Sequence, residues 1–261
     1  MNKIEVRLVQ KPLVNPVKFI ANATRLTFKT TIPFKDEIKY EPTTDFDKSI
    51  VENLVKADHS PLEQISYSVM VIGASRAFLA QITRHRLASY VSASTHYSNW
   101  PNANFVVPIE VYEKCEEINS NEPLKFYIDA CNESHQNYIK MQETFNLDHG
   151  VARSLLPLGF RNNLLITANI REWLSIIQLR ACGRNQSEIA YVTWLIRNLL
   201  IAECPEIFEN SGPACSRTGK CSEGKLCCGH PWTSHVDVND ERWKNVVPLG
   251  EKWTKKLVDN G

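Results

Sequence analysis

The densest cluster of polar side chains in the sequence begins with three consecutive basic residues, Arg84-His85-Arg86. Hydroxyl and imidazole groups follow at Ser89, Ser92, Ser94, Thr95 and His96. Guanidinium groups bind phosphate through paired, charge-assisted hydrogen bonds, and hydroxyl groups add further donors. The cluster therefore indicates a phosphate-binding site. The plainer alternative is an exposed set of cations at the C-terminus of a helix, where positive charge is favourable in any case.

A helix is expected to present this cluster. Ser75 can cap its first turn, and apolar residues then recur at helical spacing, which predicts a helix from Ser75 to about Arg86. Before it, apolar and polar residues alternate between positions 65 and 71, which predicts a strand that ends at Gly73. The basic triplet is thus expected at the far end of a strand-to-helix unit.

The rest of the chain indicates a mixed architecture. Strands are predicted at residues 4–9, 26–31, 104–107 and 164–168, and helices at 46–57, 122–145, 150–156, 171–180 and 186–203. Helices outnumber strands, and the two do not alternate regularly. This pattern favours the α+β class over a doubly wound sheet.

Composition and missing motifs exclude several functional classes. The 30 Lys and Arg residues nearly balance 29 Asp and Glu residues, so the chain has no general positive field and no nucleic-acid partner is expected. No apolar stretch approaches the roughly 18 residues of a membrane helix, and the first six residues lack a signal-peptide pattern. We expect a soluble, cytoplasmic protein with reduced thiols and no membrane partner. Dinucleotide-binding, phosphate-loop and serine-hydrolase motifs do not occur.

Motifs on both sides of the basic triplet resemble, in order and at compatible spacing, those of the flavin-dependent thymidylate synthases. The matching segments are residues 59–63, 75–81, 84–94, 150–157, 169–172, 179–180 and 186–189. The resemblance extends over about residues 18–208. It implies an α+β fold of mixed helices with a small, mostly antiparallel sheet, and a catalytic domain at residues 1–208.

The resemblance implies that the protein binds FAD and a pyrimidine nucleotide. The residues that would hold FAD are Thr27, Ser60, Glu63, Arg84, His85, Arg86, Asn169, Ile170, Arg171 and Ser175. Those that would hold the nucleotide are Gln81, Arg84, Ser92, Ser94, His96, Arg153 and Arg180. The resemblance also implies a homotetramer whose active sites lie between subunits.

The implied reaction is the reductive methylation of dUMP to dTMP, with methylenetetrahydrofolate as carbon donor and NADPH-reduced FAD as hydride source. C5 of the uracil must become nucleophilic, and Arg180 matches the catalytic arginine that would stabilise negative charge on the ring. Arginine suits this role because its guanidinium stays charged when desolvated. The alternative is that Arg153 and Arg180 form structural ion pairs with Glu172 or Glu188, since both arginines lie in otherwise apolar helices.

Three positions in the expected substrate loop depart from the family pattern. The family usually has Asn, Glu and Arg where this chain has Val91, Ser92 and His96. The loop thereby loses one carboxylate and one guanidinium. This departure leaves open two other functions: a flavin-dependent hydroxymethylase of a pyrimidine deoxynucleotide monophosphate, or a non-catalytic paralogue that binds flavin and nucleotide.

Residues 209–261 are predicted to form a cysteine-rich appendage. Cys215, Cys221, Cys227, Cys228 and His230, with Cys204 as a further candidate, are close enough in sequence to share a structural Zn²⁺. Five residues separate Cys215 from Cys221, however, which is longer than the spacing of common zinc knuckles. Reduced thiols packed against the oligomer are the alternative, and no ligand set follows from the sequence.

Overall fold

The computed structural model describes residues 4–29, 34, 42–102 and 104–228. Its strands are β1 (Glu5–Gln10), β2 (Ser66–Ser75), β3 (Ser89–Ser92) and β4 (Arg161–Asn169). Its helices are α1 (Pro16–Arg25), α2 (Asp45–Ala57), α3 (Arg76–Ile82), α4 (Ile109–Glu117), α5 (Glu122–Glu143), α6 (His149–Ala152), α7 (Ile170–Arg180), α8 (Ser187–Glu203), α9 (Pro205–Phe208) and α10 (Ala214–Thr218). Short 3-10 helices occupy Ser60–Gln64, Arg153–Leu155 and Gly224–Leu226.

The strands form one antiparallel sheet in the order β1-β2-β4-β3. The central strands β2 and β4 supply alternating buried residues, among them Val69 and Val71 on β2 and Leu164 and Ile166 on β4. This alternation places one face of the sheet against the core. The predicted α+β class with a small antiparallel sheet is confirmed.

β2 is longer than the sequence predicted, because it passes through Gly73 instead of ending there. Gly73 has a φ of 76°, and the pairing register between β2 and β4 shifts between Ile72 and Ala74. Glycine adopts this left-handed conformation without steric cost, so the strand bends at a bulge and continues to Ser75.

β4 runs directly into α7, because Asn169 both ends the strand and caps the helix. The Asn169 side chain accepts a hydrogen bond from the Glu172 N–H at 2.9 Å. The buried Trp173 donates from its indole nitrogen to the Tyr67 carbonyl of β2 at 3.1 Å. The indole of Trp194 on α8 donates to the carbonyl of Ala181, just after α7, at 3.1 Å. Both ends of α7 are therefore fixed against their neighbours.

Two predicted strands are wrong in their described parts. After α1, the N–H groups of Leu26, Thr27 and Phe28 each donate to the carbonyl three residues earlier, which makes a turn where a strand was expected. Residues 30 and 31 of that prediction lie outside the described residues. At 104–107, only Phe105 pairs, through a single bridge to Phe160.

α3 is shorter than predicted, ending at Ile82 and not near Arg86. The N–H groups of Arg84 and His85 donate to the carbonyls of Gln81 and Ile82, so tight turns replace the last helical turn. The basic triplet therefore lies in a turn, in which His85 is buried while Arg84 and Arg86 are exposed. None of the described helices combines enough length and apolar character to span a membrane.

The described start of the cysteine-rich segment packs against α8. The buried Arg197 donates from Nε to the Ser211 carbonyl at 2.7 Å and from Nη2 to the Glu209 carbonyl at 2.6 Å. Cys215 on α10 is buried as well. Residues from 229 onward, including His230, lie outside the described part, and the boundary between residues 208 and 209 stays a prediction.

Candidate active site

α7 carries expected ligand residues at both of its ends. Asn169, Ile170 and Arg171 lie at its start, and Arg180 is its last residue. The helix has 11 residues, which at 1.5 Å per residue corresponds to about 15 Å between these ends. The two ends meet different parts of the chain and form two separate groups of polar side chains.

The group at the start of α7 joins the helix to the Ser60–Gln64 segment. Arg171 donates from Nη1 to a Glu63 carboxylate oxygen at 2.6 Å and from Nε to an Asp58 oxygen at 2.9 Å. The hydrogen bonds and charges of these two carboxylates raise the pKa of Arg171. The N–H of Ile170 donates to the Ile65 carbonyl at 2.9 Å. Glu63 and Arg171, expected to share a ligand, are thus in direct contact.

Three other residues expected to hold FAD do not join the contacts between Glu63 and Arg171. Ser60 begins the same 3-10 helix as Glu63 and is exposed. Ser175 lies midway along α7 and is half-buried. Thr27 is exposed in the turn after α1, and its hydroxyl donates to the Thr24 carbonyl at 2.8 Å. Within the described part of the chain, neither Thr27 nor Ser175 forms a hydrogen bond or ion pair with Glu63 or Arg171.

The second group surrounds Arg180 at the end of α7. Its Nε–H donates to His85 Nε2 at 2.9 Å, and its Nη2 donates to the Gln81 carbonyl at 3.1 Å. The structure therefore brings Arg180 against Gln81 and His85, which lie 99 and 95 residues earlier in the sequence. No protein acceptor for Nη1 of Arg180 occurs in the part of the chain described.

Beneath Arg180, the expected ligand residue His85 is paired with Glu172, a buried carboxylate that the sequence analysis did not assign to the site. Glu172 Oε1 is 3.4 Å from His85 Nδ1, and both side chains are largely buried. Burial, together with the positive charge of Arg180, lowers the pKa of His85 to about 4. Burial raises the pKa of Glu172. His85 is therefore neutral at physiological pH.

The structure does not pair the arginines with the carboxylates that the sequence alternative named. Glu172 contacts His85, and Glu188 accepts from the backbone N–H and hydroxyl of Ser75. Among the described residues, no ion pair joins Arg153 or Arg180 to either glutamate. The guanidinium groups thus remain available to a ligand.

A third group lies in the loop after β3. The Ser94 hydroxyl accepts from the N–H groups of His96 at 3.1 Å and Tyr97 at 3.2 Å. The His96 ring lies so close to Gly150 that a Cβ there would be 2.3 Å from its Nδ1. Glycine at position 150 therefore lets the loop approach the segment that carries Arg153. Ser92, His96 and Arg153 are all exposed.

Arg76 is a member of this third group that sequence reasoning missed. Its Nη1 donates to the Oγ1 of the buried Thr95 at 3.1 Å, which fixes the loop to the start of α3. Burial and the positive charge of Arg153 both lower the pKa of Arg76. The only signal in the sequence was its position directly after the capping serine.

Along the chain, β3 separates the second group from the third. β3, with four residues, lies between the basic triplet and Ser94 and spans about 13 Å. The expected ligand residues therefore occupy three regions of the single chain: the start of α7, the end of α7, and the loop with Arg153.

The donors in these regions match the chemistry of a ligand that carries phosphates. Arg84, Arg86 and Arg153 are exposed, and none of them forms an ion pair within the described ranges. Unpaired guanidinium groups beside hydroxyl donors fit the pyrophosphate of a dinucleotide such as FAD and the phosphate of a nucleotide. The residues present thus fit both implied ligands.

The cysteines form a loose group near the end of α7. Cys182, Cys215 and Cys221 line one cavity of about 260 Å³, and the thiol of Cys221 is hydrogen-bonded to Cys227. Cys182 was not among the candidates from the sequence. Within the described ranges, no three histidine, cysteine or acidic side chains converge closely enough to hold a metal ion. None of the eight cysteines, all of which lie in the described ranges, forms a disulfide bond.

Comparison with known proteins matches this chain to one family. The model of the family described as "Thymidylate synthase complementing protein" matches residues 7–206. The chain belongs to this family. The matched range contains every expected ligand residue from Thr27 to Arg180 and ends before the cysteine-rich segment.

Individual relatives cover most of the chain. A "flavin-dependent thymidylate synthase" of Geobacter sulfurreducens is 29% identical over 82% of this chain and 90% of its own length. That of Clostridium tetani is 26% identical over 82% and 89%. That of Thermococcus onnurineus is 28% identical over 94% and 98%. The similarity to these family members therefore extends over nearly whole proteins.

Proposed function

We propose that the protein is a flavin-dependent thymidylate synthase that methylates dUMP to dTMP. One structural observation supports the proposal in addition to the family membership. Arg180 is anchored at Nε by His85 and at Nη2 by Gln81, and its Nη1 has no acceptor among the residues described. A guanidinium held at two nitrogens and open at the third is pre-oriented for a ligand.

The open edge of Arg180 suits the chemistry of the uracil ring. Methylation replaces the C5 hydrogen of the ring by a methyl group, so electron density must move to C5. A guanidinium beside N3 and the adjacent carbonyl stabilises the negative charge that develops there. A fixed guanidinium achieves this without reorganising during the reaction, which is the advantage of holding Arg180 at two nitrogens.

The carbon donor in this proposal is methylenetetrahydrofolate. When bound, FAD supplies the hydride that converts the transferred methylene to methyl, after reduction by NADPH. Arg153 and Ser94 would bind the dUMP phosphate region, with Gln81, Ser92, His96 and Arg84 around them. Arg84, His85 and Arg86 would lie at the flavin, and Thr27, Ser60, Glu63, Asn169, Ile170, Arg171 and Ser175 would hold the rest of FAD.

The proposal includes a homotetramer with shared active sites. The start and end of α7 lie about 15 Å apart along the helix, and β3 spans about 13 Å between the basic triplet and the loop with Ser94. A second subunit that supplies one region would complete a site that a single chain leaves divided. Function in the cytoplasm fits the lack of disulfide bonds among the described cysteines.

A structural zinc ion is a separate hypothesis and takes no part in this chemistry. Cys215, Cys221, Cys227 and Cys228 lie within the described residues, while His230 lies outside them. Metal analysis of the purified protein tests the hypothesis directly. Stoichiometric zinc would support it, and metal-free, folded protein would contradict it.

An anaerobic flavin assay tests the proposed function. NADPH should bleach the flavin absorbance of the purified protein, and addition of dUMP with methylenetetrahydrofolate should restore it. Flavin that stays reduced after both additions would contradict the proposal and favour the non-catalytic paralogue. Omission of dUMP alone is the control, because it leaves the carbon donor present without an acceptor.

A further inference from the structure

The contacts of His85 connect two residues of α7 that do not touch each other. His85 Nε2 receives the Arg180 Nε–H at 2.9 Å, and His85 Nδ1 faces Glu172 Oε1 at 3.4 Å. Glu172 is in the first turn of α7, and Arg180 is its last residue. Long helical side chains point back toward the N-terminus, which lets Arg180 reach a ring that also contacts Glu172.

This arrangement fixes the tautomer of His85. The Nε of an arginine is always a donor, so His85 Nε2 must carry a lone pair and no hydrogen. The hydrogen of the neutral ring is then on Nδ1, where it faces the Glu172 carboxylate. A carboxylate at this position therefore selects the tautomer that can accept from Arg180.

The backbone around His85 is held independently of this ring. The Tyr90 hydroxyl contacts the carbonyls of Ile82 at 2.7 Å and His85 at 2.9 Å. Burial raises the pKa of Tyr90 to about 12, so the phenol remains a donor. Apart from Glu172, Arg180 and Tyr90, the charged neighbours in the turn are the exposed Arg84 and Arg86.

We propose that Glu172 is a positioning residue for the reaction, acting through His85 to orient the guanidinium of Arg180 toward the pyrimidine. The inference rests on the proposed function and adds a residue to it. It also gives His85 a different role in the site, because one ring nitrogen accepts from Arg180 and the other lies 3.4 Å from Glu172.

The proposal has a direct chemical consequence. Without an acceptor at position 172, only the contact with Arg180 favours the Nδ1–H tautomer, and the Nε2–H tautomer becomes more populated. Two donors would then face each other, and Arg180 would lose the anchor at Nε while keeping its charge. Displacement of a catalytic group by about 1 Å costs up to about 100-fold in rate.

A matched pair of variants tests the role of Glu172. Glu172→Gln keeps an oxygen acceptor of similar size, whereas Glu172→Leu keeps volume and removes the acceptor. We expect the Leu variant to lose about 10- to 100-fold in kcat for dUMP and to bind dUMP more weakly in calorimetric titration. The Gln variant should stay within about fivefold of the wild type in both. FAD content should be unchanged in both variants.

His85 offers a second pair in case Glu172→Leu does not fold. In His85→Gln the amide oxygen can take the place of Nε2, whereas His85→Leu supplies no acceptor. The Gln variant should again retain more kcat and dUMP affinity than the Leu variant. A Leu variant that matches the wild type, or Leu and Gln variants that lose equally, would overturn the proposal.

Product formation by the wild-type protein distinguishes failure of this inference from failure of the proposed function. If the wild type forms dTMP while Glu172→Leu shows wild-type kinetics, only the positioning role fails. If the wild type forms no dTMP, the proposed function fails. The dUMP affinities of the variants then still decide whether Glu172 positions Arg180.

Discussion

Both hydrogen-bond donors of Ser75, its backbone N–H and its hydroxyl, bind the carboxylate of Glu188 on α8. The Ser75 N–H donates to Glu188 Oε1 at 2.7 Å and the hydroxyl to Glu188 Oε2 at 2.5 Å. The same hydroxyl oxygen accepts from the Phe78 N–H at 3.0 Å and so caps α3. α8 is thereby tied to the start of the helix that ends beside the basic triplet.

Removal of this carboxylate should destabilise the fold. Glu188→Ala leaves two donors of the buried Ser75 without an acceptor, and we expect a loss of about 2 to 3 kcal/mol in the free energy of unfolding. Urea denaturation measures it. The control is Glu117→Ala, which removes an exposed carboxylate paired with Lys114 and should change stability by less than about 1 kcal/mol. Equal losses in the two variants would contradict this account.

Asp47 should make stability depend on pH in the acid range. Burial opposes its ionisation, but hydrogen bonds from the Thr44 N–H and from Arg25 outweigh it and lower the pKa from 3.8 to about 2. Because the folded pKa is the lower one, the stabilisation is present above about pH 4 and is lost as the pH falls through about 2.

The variant Asp47→Asn isolates this contribution. It should cost about 2 kcal/mol at neutral pH, and the difference from the wild type should shrink toward pH 2. Asp45→Asn, at an exposed position in the same turn of α2, is the matched control and should cost less than about 1 kcal/mol. A deficit that does not change with pH would mean that the charge of Asp47 is not responsible.

Arg171 should contribute to FAD binding more than to folding. It is partly exposed and pairs with the exposed Asp58 and Glu63, and exposed ion pairs add little stability. Arg171→Ala should therefore weaken FAD binding by about 10-fold or more, while the free energy of unfolding stays close to that of the wild type.

The control for Arg171 is Arg7→Ala, which breaks an exposed pair with Glu5 on β1. The ratio of flavin absorbance to protein absorbance after dialysis measures FAD retention. Arg7→Ala should retain FAD as the wild type does. If Arg171→Ala also retains it fully, Arg171 is not a ligand of the cofactor.

Arg180→Ala should largely abolish turnover while FAD stays bound. The variant removes the guanidinium proposed to stabilise charge on the pyrimidine, and we expect a loss of at least about 100-fold in kcat. Arg184→Ala is the control, because Arg184 lies four residues further along and pairs with Glu223 on the surface. Steady-state kinetics with dUMP compare the two, and wild-type turnover in Arg180→Ala would refute its catalytic role.

Local signals predicted much of this fold. The apolar periodicity of residues 171–180 and 186–203 corresponds to α7 and α8, and Ser75 caps α3 as expected. The predictions failed where longer-range pairing decides the structure. β2 continues beyond Gly73 because β4 pairs with it on both sides of the bulge, and no pattern within β2 shows this.

The sequence predicts which residues belong to the site, but it does not predict which of them contact each other. Motif resemblance selected His85 and Arg180, but their hydrogen bond joins positions 95 residues apart. The sequence indicates Glu172 only as an ion-pair partner for arginine, because its position against His85 depends on how α7 packs against the turn after α3. Arg76 gave no signal except its place after Ser75, since its contact with Thr95 is made through the fold.

Identification of the product tests the central proposal most directly. Purified protein is incubated with dUMP, methylenetetrahydrofolate and NADPH, and the nucleotide is analysed by mass spectrometry. The account predicts dTMP, formed only when all three are present. A nucleotide with the mass of hydroxymethyl-dUMP, or unchanged dUMP, would contradict it.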